Sequence, residues 1–160
     1  MAPHAELHVC FVCTGNICRS PIAEKVLVDE LQKAGLAERV RVTSAGTGGW
    51  HVGGGPDARA AALLRAHGYP DTHVARQLDA EQLAADLLVA LDNENRRVLQ
   101  DKVPEPERVR MLRSFDPGAP AGADVPDPYY GADDGFDEVL GMVRAAMPGL
   151  LTWIRRQLLG

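Results

Sequence analysis

Apolar positions along the chain switch between short runs and stripes repeating every three or four residues, which predicts alternating strands and helices. Residues 7–12 hold Val9, Phe11 and Val12 in a run of buried-strand length. From 21 to 34 the apolar residues Ile22, Val26, Leu27 and Leu31 recur at helical spacing. Ser20 suits the N-cap of that helix, Pro21 its first position and Gly35 the residue just past its end. β-Branched residues mark a second strand at 40–44 that ends at Gly46, and 57–67 reads as a helix closed by Gly68 and Pro70. A short helix at 80–85 precedes a third strand at 87–91. A helix from 93 to 101 follows, then Pro104, Pro106 and a fourth strand at 109–112. Residues 115–135 carry four of the eleven prolines and four of the sixteen glycines, so they read as a long surface loop of the kind usually kept for function. The last helix places Phe136, Val139, Leu140, Val143 and Met147 on one stripe. Pro148-Gly149 predicts a kink or break before Trp153, Ile154 and Leu158 resume the apolar face, with Trp153 in the core.

Strands alternating with helices call for a parallel sheet covered on both faces. The 160 residues, 46% hydrophobic and 24% charged, fit one soluble domain spanning 1–160, without repeats or linkers. Acidic residues outnumber basic ones 22 to 17, for a net charge of −5, and this offers nothing to nucleic acid or an anionic membrane. No apolar run approaches the roughly 18–20 residues of a membrane span. Residues 1–6 lack the basic patch and apolar stretch of a secretory signal. The three cysteines, Cys10, Cys13 and Cys18, are too few and too clustered for a disulfide framework, which points to the reducing cytoplasm. Export by a route that needs no signal peptide stays open.

The chemistry concentrates in Cys13-Thr14-Gly15-Asn16-Ile17-Cys18-Arg19-Ser20, which joins the first strand to the first helix. That is the carboxyl end of the sheet, where open α/β folds bind ligands. Loop amides and a helix N-terminus together make a cradle for an anion, and Gly15 supplies the unusual dihedrals such a loop requires. Arg19 returns over the cradle with a planar fork for two phosphate oxygens. The same dipoles and the arginine favour the thiolate of Cys13, a nucleophile facing the bound anion. The lysine and longer glycine spacing of a nucleotide P-loop are missing. His8, Cys10, Cys13 and Cys18 are also possible zinc ligands, with Cys10 and Cys13 at knuckle spacing, but no second knuckle follows and Arg19 would repel a cation, so neither metal nor cofactor is expected.

Thr43-Ser44-Ala45-Gly46-Thr47, Trp50-His51, His73-Val74-Ala75-Arg76-Gln77 and Asp127-Pro128-Tyr129-Tyr130-Gly131 complete the set. With residues 13–20 they make nearly the whole chain resemble the low-molecular-weight protein tyrosine phosphatases, bacterial members in particular. The resemblance implies a flavodoxin-like α/β fold, a four-stranded parallel sheet in the order 2-1-3-4 with helices on both faces. It implies Cys13 as nucleophile, Arg19 as phosphate binder and Asp127 as general acid. Residues alone leave Asp116, Asp124, Asp133 and Asp134 open as the acid. Thr14, Gly15, Asn16, Ile17, Cys18 and Ser20 are implied as the phosphate loop, with Asn16, Ser20, Ser44 and His73 its polar support. Trp50, Tyr129 and Tyr130 resemble the walls of a cleft for a phenyl ring, beside a glycine run, Gly53-Gly54-Gly55, that suggests a loose rim. Cys18 resembles a second loop cysteine able to form a reversible disulfide with Cys13.

The implied reaction is hydrolysis of phosphotyrosine and other aryl phosphates through a cysteinyl-phosphate, on tyrosine-phosphorylated proteins, by a monomer. Two rivals share the anion loop. An arsenate reductase needs further cysteines to pass a disulfide outward, and none follows Cys18. A non-catalytic phosphate-binding module has no use for Cys13 or Asp127.

Overall fold

The computed structural model describes residues 5–130 and 134–159, without the side chains of Tyr130 and Asp134. Four parallel strands form the sheet: β1 (Leu7–Cys13), β2 (Val40–Gly46), β3 (Leu87–Ala90) and β4 (Val109–Met111), in the order β2-β1-β3-β4. β1 and β2 pair from Leu7↔Val40 to Cys13↔Gly46, while β3 lies on the other side of β1, pairing Val9↔Leu87 to Val12↔Ala90. The chain therefore reverses its direction of winding at β1, and the crevice of a doubly wound sheet opens at that strand's carboxyl end.

Alternation along the central strands feeds two cores. Val9, Phe11, Leu87 and Val89 join the larger one, under α1 (Arg19–Lys33), α2 (Ala58–Ala66) and α5 (Asp134–Leu159). Cys10, Val12, Leu88 and Ala90 face the smaller one, against α4 (Asn93–Lys102), with Leu83 of the short α3 (Ala80–Leu83) packed on its margin. Cys10 is fully buried and burial pushes its thiol up to about 12, the state of an inert packing residue. No helix among the described residues is long and apolar enough to cross a membrane.

Two sequence expectations fail, one at the start of α1 and one inside α5. The cap position of α1 belongs to Cys18, without a side-chain cap hydrogen bond. Ser20 is the second helical residue and Pro21 the third, because the serine hydroxyl is drawn inward by Cys13 and Asn16. Helix α5 runs unbroken through Pro148. A proline inside a helix costs about 3 kcal/mol, but beyond it Leu150 and Ile154 are fully buried. Each of those side chains contributes about 1.5–3 kcal/mol by burial, enough to hold the helical course. Gly149 fits this packing: a Cβ there would lie 2.0 Å from the Phe115 carbonyl oxygen. Trp153 is half-buried against the larger core rather than within it.

Candidate active site

The loop between β1 and α1 is held from outside by its carbonyls. Cys13 O accepts from Thr47 N at 2.9 Å, Thr14 O from Gly48 N at 2.9 Å, and Ile17 O from Asp57 N at 2.9 Å. Asn16 O accepts from His73 Nε2 at 2.7 Å. A loop whose carbonyls are tied outward turns amide groups toward its concave side, next to the uncapped start of α1.

The strained residue of the loop is Asn16, at φ +57°, and not Gly15 as the sequence suggests. Asparagine tolerates this region, and here its side chain is fully committed. Nδ2 donates to Ser20 Oγ at 2.8 Å and to Ser44 Oγ at 3.0 Å, and Oδ1 accepts from Arg76 N at 3.0 Å. Gly15 matters for space instead, since a Cβ would stand 3.1 Å from the His51 ring, which would have to shift to admit it.

These bonds set a direction. Asn16 Nδ2 can only donate, so the Ser20 hydroxyl accepts from it and turns its own hydrogen to Cys13 Sγ, 3.0 Å away. The Ser44 hydroxyl likewise donates onward to Glu24. Asn16 and Ser20 are fully buried and their side chains lie behind the loop, off its ligand face.

Arg19 is 2% exposed. Its Nη1 donates to Asp92 Oδ2 at 2.8 Å and to Val125 O at 3.0 Å. Nη2 lies 3.5 Å from both Thr14 Oγ1 and Asp127 Oδ2. Burial works against its charge, but Cys13, Asp92 and Asp127 outweigh it and hold the guanidinium above its usual value. Asp92 also caps α4, accepting from Asn95 N at 2.8 Å. The sequence reading missed it, although an acidic residue at the carboxyl end of β3 borders the crevice.

Val125 N donates to Leu91 O at 2.7 Å and fixes the long loop beneath the site. Two residues on, Asp127 stands between Pro126 and Pro128 with Oδ1 accepting from Tyr129 N at 3.0 Å. Of the alternative acids, Asp124 accepts from Asn93 N at 2.8 Å and ties the loop to the start of α4, while Asp116 accepts from Gly118 N at 2.9 Å and closes its own turn. Asp133 and the Asp134 side chain lie outside the described residues.

Cys13, Arg19 and Asp127 line one cavity of about 300 Å³. Thr14, Gly15, Ile17 and Cys18 form its floor, and Trp50, His51 and Tyr129 its walls. Trp50 is 76% exposed at the rim. His51, quoted in the sequence only as Trp50's neighbour, tilts against the Tyr129 ring at 6.1 Å. The Tyr130 side chain, a predicted wall, is outside the described residues. The glycine run is tied down, with Gly53 N donating to Ala75 O and Ala75 N to Gly54 O. Burial, then Asp57 and Cys13, push the Cys18 thiol up, and both loop cysteines are free thiols. No cluster of residues suited to a metal ion occurs among the described residues.

Burial above all pulls His73 below its ordinary 6.5, with Lys25 and Arg76 adding to it, against the bond to Asn16 and the charge of Glu24. The ring is therefore neutral at pH 7. Because its folded value is below the unfolded one, its contribution to stability is complete above pH 6.5 and is lost as pH falls past that point. His8, also lowered foremost by burial, shares this window. Thermal unfolding measured from pH 7 to 5 should show a falling Tm, and His73→Gln, whose amide still donates to Asn16 O, should flatten part of the fall. An unchanged slope would remove His73 from that role.

Residues 8–159 match the model of the low molecular weight phosphotyrosine protein phosphatases. The chain is 58% identical over 153 residues to low molecular weight protein-tyrosine phosphatase A of Mycobacterium tuberculosis, covering 95% of this chain and 94% of that one. It is 52% identical over 157 residues to the low molecular weight protein-tyrosine-phosphatase of Streptomyces coelicolor, covering 95% and 96%. The crystal structure of a protein tyrosine phosphatase from Entamoeba histolytica, with Hepes in the active site, superposes with a TM-score of 0.88 at 32% identity, covering 94% and 97%.

Proposed function

Because the chain belongs to the low molecular weight phosphotyrosine protein phosphatase family and is a protein-tyrosine phosphatase, we propose that Cys13, Arg19 and Asp127 are the groups that carry its reaction. One observation carries this reading: the three face the same cavity, whose apolar walls suit a flat phenyl ring.

The Cys13 thiolate attacks phosphorus opposite the phenolic oxygen, forming an S–P bond as the P–O bond breaks. Asp127 gives its proton to the departing oxygen. Arg19 and the loop amides hold the three equatorial oxygens throughout. With Nη1 engaged by Asp92 and Val125, the fork offered to phosphate is the Nε and Nη2 edge. The Asp127 carboxylate then takes a proton from water, whose oxygen attacks the cysteinyl-phosphate. The S–P bond breaks, phosphate forms and the thiolate returns, stabilised by the Ser20 hydroxyl.

We infer a monomeric enzyme in a reducing compartment, since three clustered cysteines make no disulfide framework. The test is an aryl-phosphate assay combined with alkylation. Phosphate and vanadate should compete with substrate and protect Cys13, with no response to chelators. Competition without protection of Cys13, or activity lost to a chelator, would overturn the assignment.

A further inference from the structure

Behind the catalytic loop lies a second cavity, of about 430 Å³, against the free edge of β2. Its walls are α1, residues 41–44 of β2 and residues 72–76. Among the described residues the edge strand bridges to the chain just after 72–76 at Gly46 and Gln77, where Gly46 N donates to Arg76 O and Gly46 O accepts from Leu78 N. Backbone groups of a strand alternate in direction. Since those of Gly46 point to the free edge, those of Ser44 and Val42 point there too, into the split between strand and segment.

The charges around this split are unequal. Lys25, Arg41 and Arg76 line it, against the single carboxylate of Glu24. Glu24 is engaged by the Ser44 hydroxyl on the side of the catalytic loop, while Arg41 and Arg76 are exposed at the mouth. Arg41 also reaches Glu81. The neutral His73 uses Nε2–H on Asn16 O and so keeps Nδ1 as an acceptor, adding no positive charge. Three cationic side chains outnumber the one carboxylate on the walls, and the edge of Val42 and Ser44 presents C=O as well as N–H groups, so what fits is a small tetrahedral oxyanion that keeps a proton to donate, as a phosphate monoanion or hydrogen phosphate does.

We propose that this second cavity is a binding site for a phosphate group, back to back with the catalytic loop and separate from it. The catalytic mechanism uses neither Lys25 nor Arg41, so their part in the site is independent of it, whereas Ser44, His73 and the backbone N–H of Arg76 also support the catalytic loop.

Inorganic phosphate titrated into the protein, followed through backbone amide resonances, tests this. Residues 14–19 should report one saturation curve, the catalytic cradle, and residues 42–44 and 72–76 a second with its own midpoint. Lys25→Gln combined with Arg41→Gln should weaken the second curve about tenfold, the effect of losing two ionic contacts, and leave the first curve and the aryl-phosphate rate in place. A parallel titration with O-phosphoserine separates the sources: either anion captured on the second curve supports the site, and the tighter one names its natural form. A single shared curve, or a second curve indifferent to the double substitution, would overturn the proposal. Silence of residues 14–19 alone would instead count against the catalytic assignment.

Discussion

Cys13→Ser should lower turnover of aryl phosphates by more than about 10⁴-fold, as loss of a nucleophile does in other covalent enzymes. A serine alkoxide is far scarcer near neutral pH than a cysteine thiolate. The replacement should otherwise be mild. Serine has nearly the shape of cysteine, Ser20 remains as its partner at a contact of 3.0 Å, and the outward carbonyl bonds of the loop do not involve the side chain. The variant should therefore unfold within a few degrees of the parent and still bind phosphate, since Arg19 and the amides persist. Steady-state rates, thermal unfolding and phosphate calorimetry check the three parts. Steady hydrolysis within about tenfold of the parent would end the nucleophile assignment.

Asp127→Ala should lose rate in a way that depends on the leaving group. Phosphotyrosine expels a phenol of pKa about 10, which needs a proton as it leaves, and the loss there should fall in the 10²–10⁴-fold range of general acid catalysis. A phenol of low pKa departs with little help and should lose less. Alanine also removes the acceptor that Tyr129 N uses at 3.0 Å, so loop disorder could mimic the effect. Asp127→Asn separates the two, because its carbonyl keeps that turn and its amide cannot serve as the acid. The pair should show the same steep dependence on leaving-group pKa under conditions where phosphorylation of Cys13 limits the rate. A uniform loss across a series of aryl phosphates would exclude Asp127 as the proton donor.

Most of the sheet was legible because its signals are local. β1 and β3 are runs with almost nothing polar in them, and the helices between carry regular stripes, so observed and expected boundaries differ by a residue or two. The alignment of Cys13 with Arg19 was legible for the same reason, both lying on one short loop. What escaped depends on distance along the chain. Asp92 stands just before a helix, which it caps, and nothing nearby reveals an arginine 73 residues away. Ser20 had the sequence of a cap and was claimed by groups on β1 and the loop. Pro148 carried the strongest local signal for a break, and burial of the residues beyond it prevailed. The second cavity left no mark in the sequence, since its walls come from three separated segments.

The double engagement of Asp92 has an evolutionary consequence. One carboxylate closes the N-terminus of α4 with one oxygen and balances Arg19 with the other, so fold and site share a single point of inheritance. Asparagine caps a helix about as well as aspartate, whereas alanine forfeits about 1 kcal/mol of cap. A drifting lineage can thus leave Asp92 by two doors. Through asparagine it keeps the helix and frees the arginine's charge; through most other residues it weakens both at once. The effects of substitutions at positions 19 and 92 should therefore be non-additive, because the two side chains share one contact. That coupling makes them a pair that active sequences of this fold should retain together.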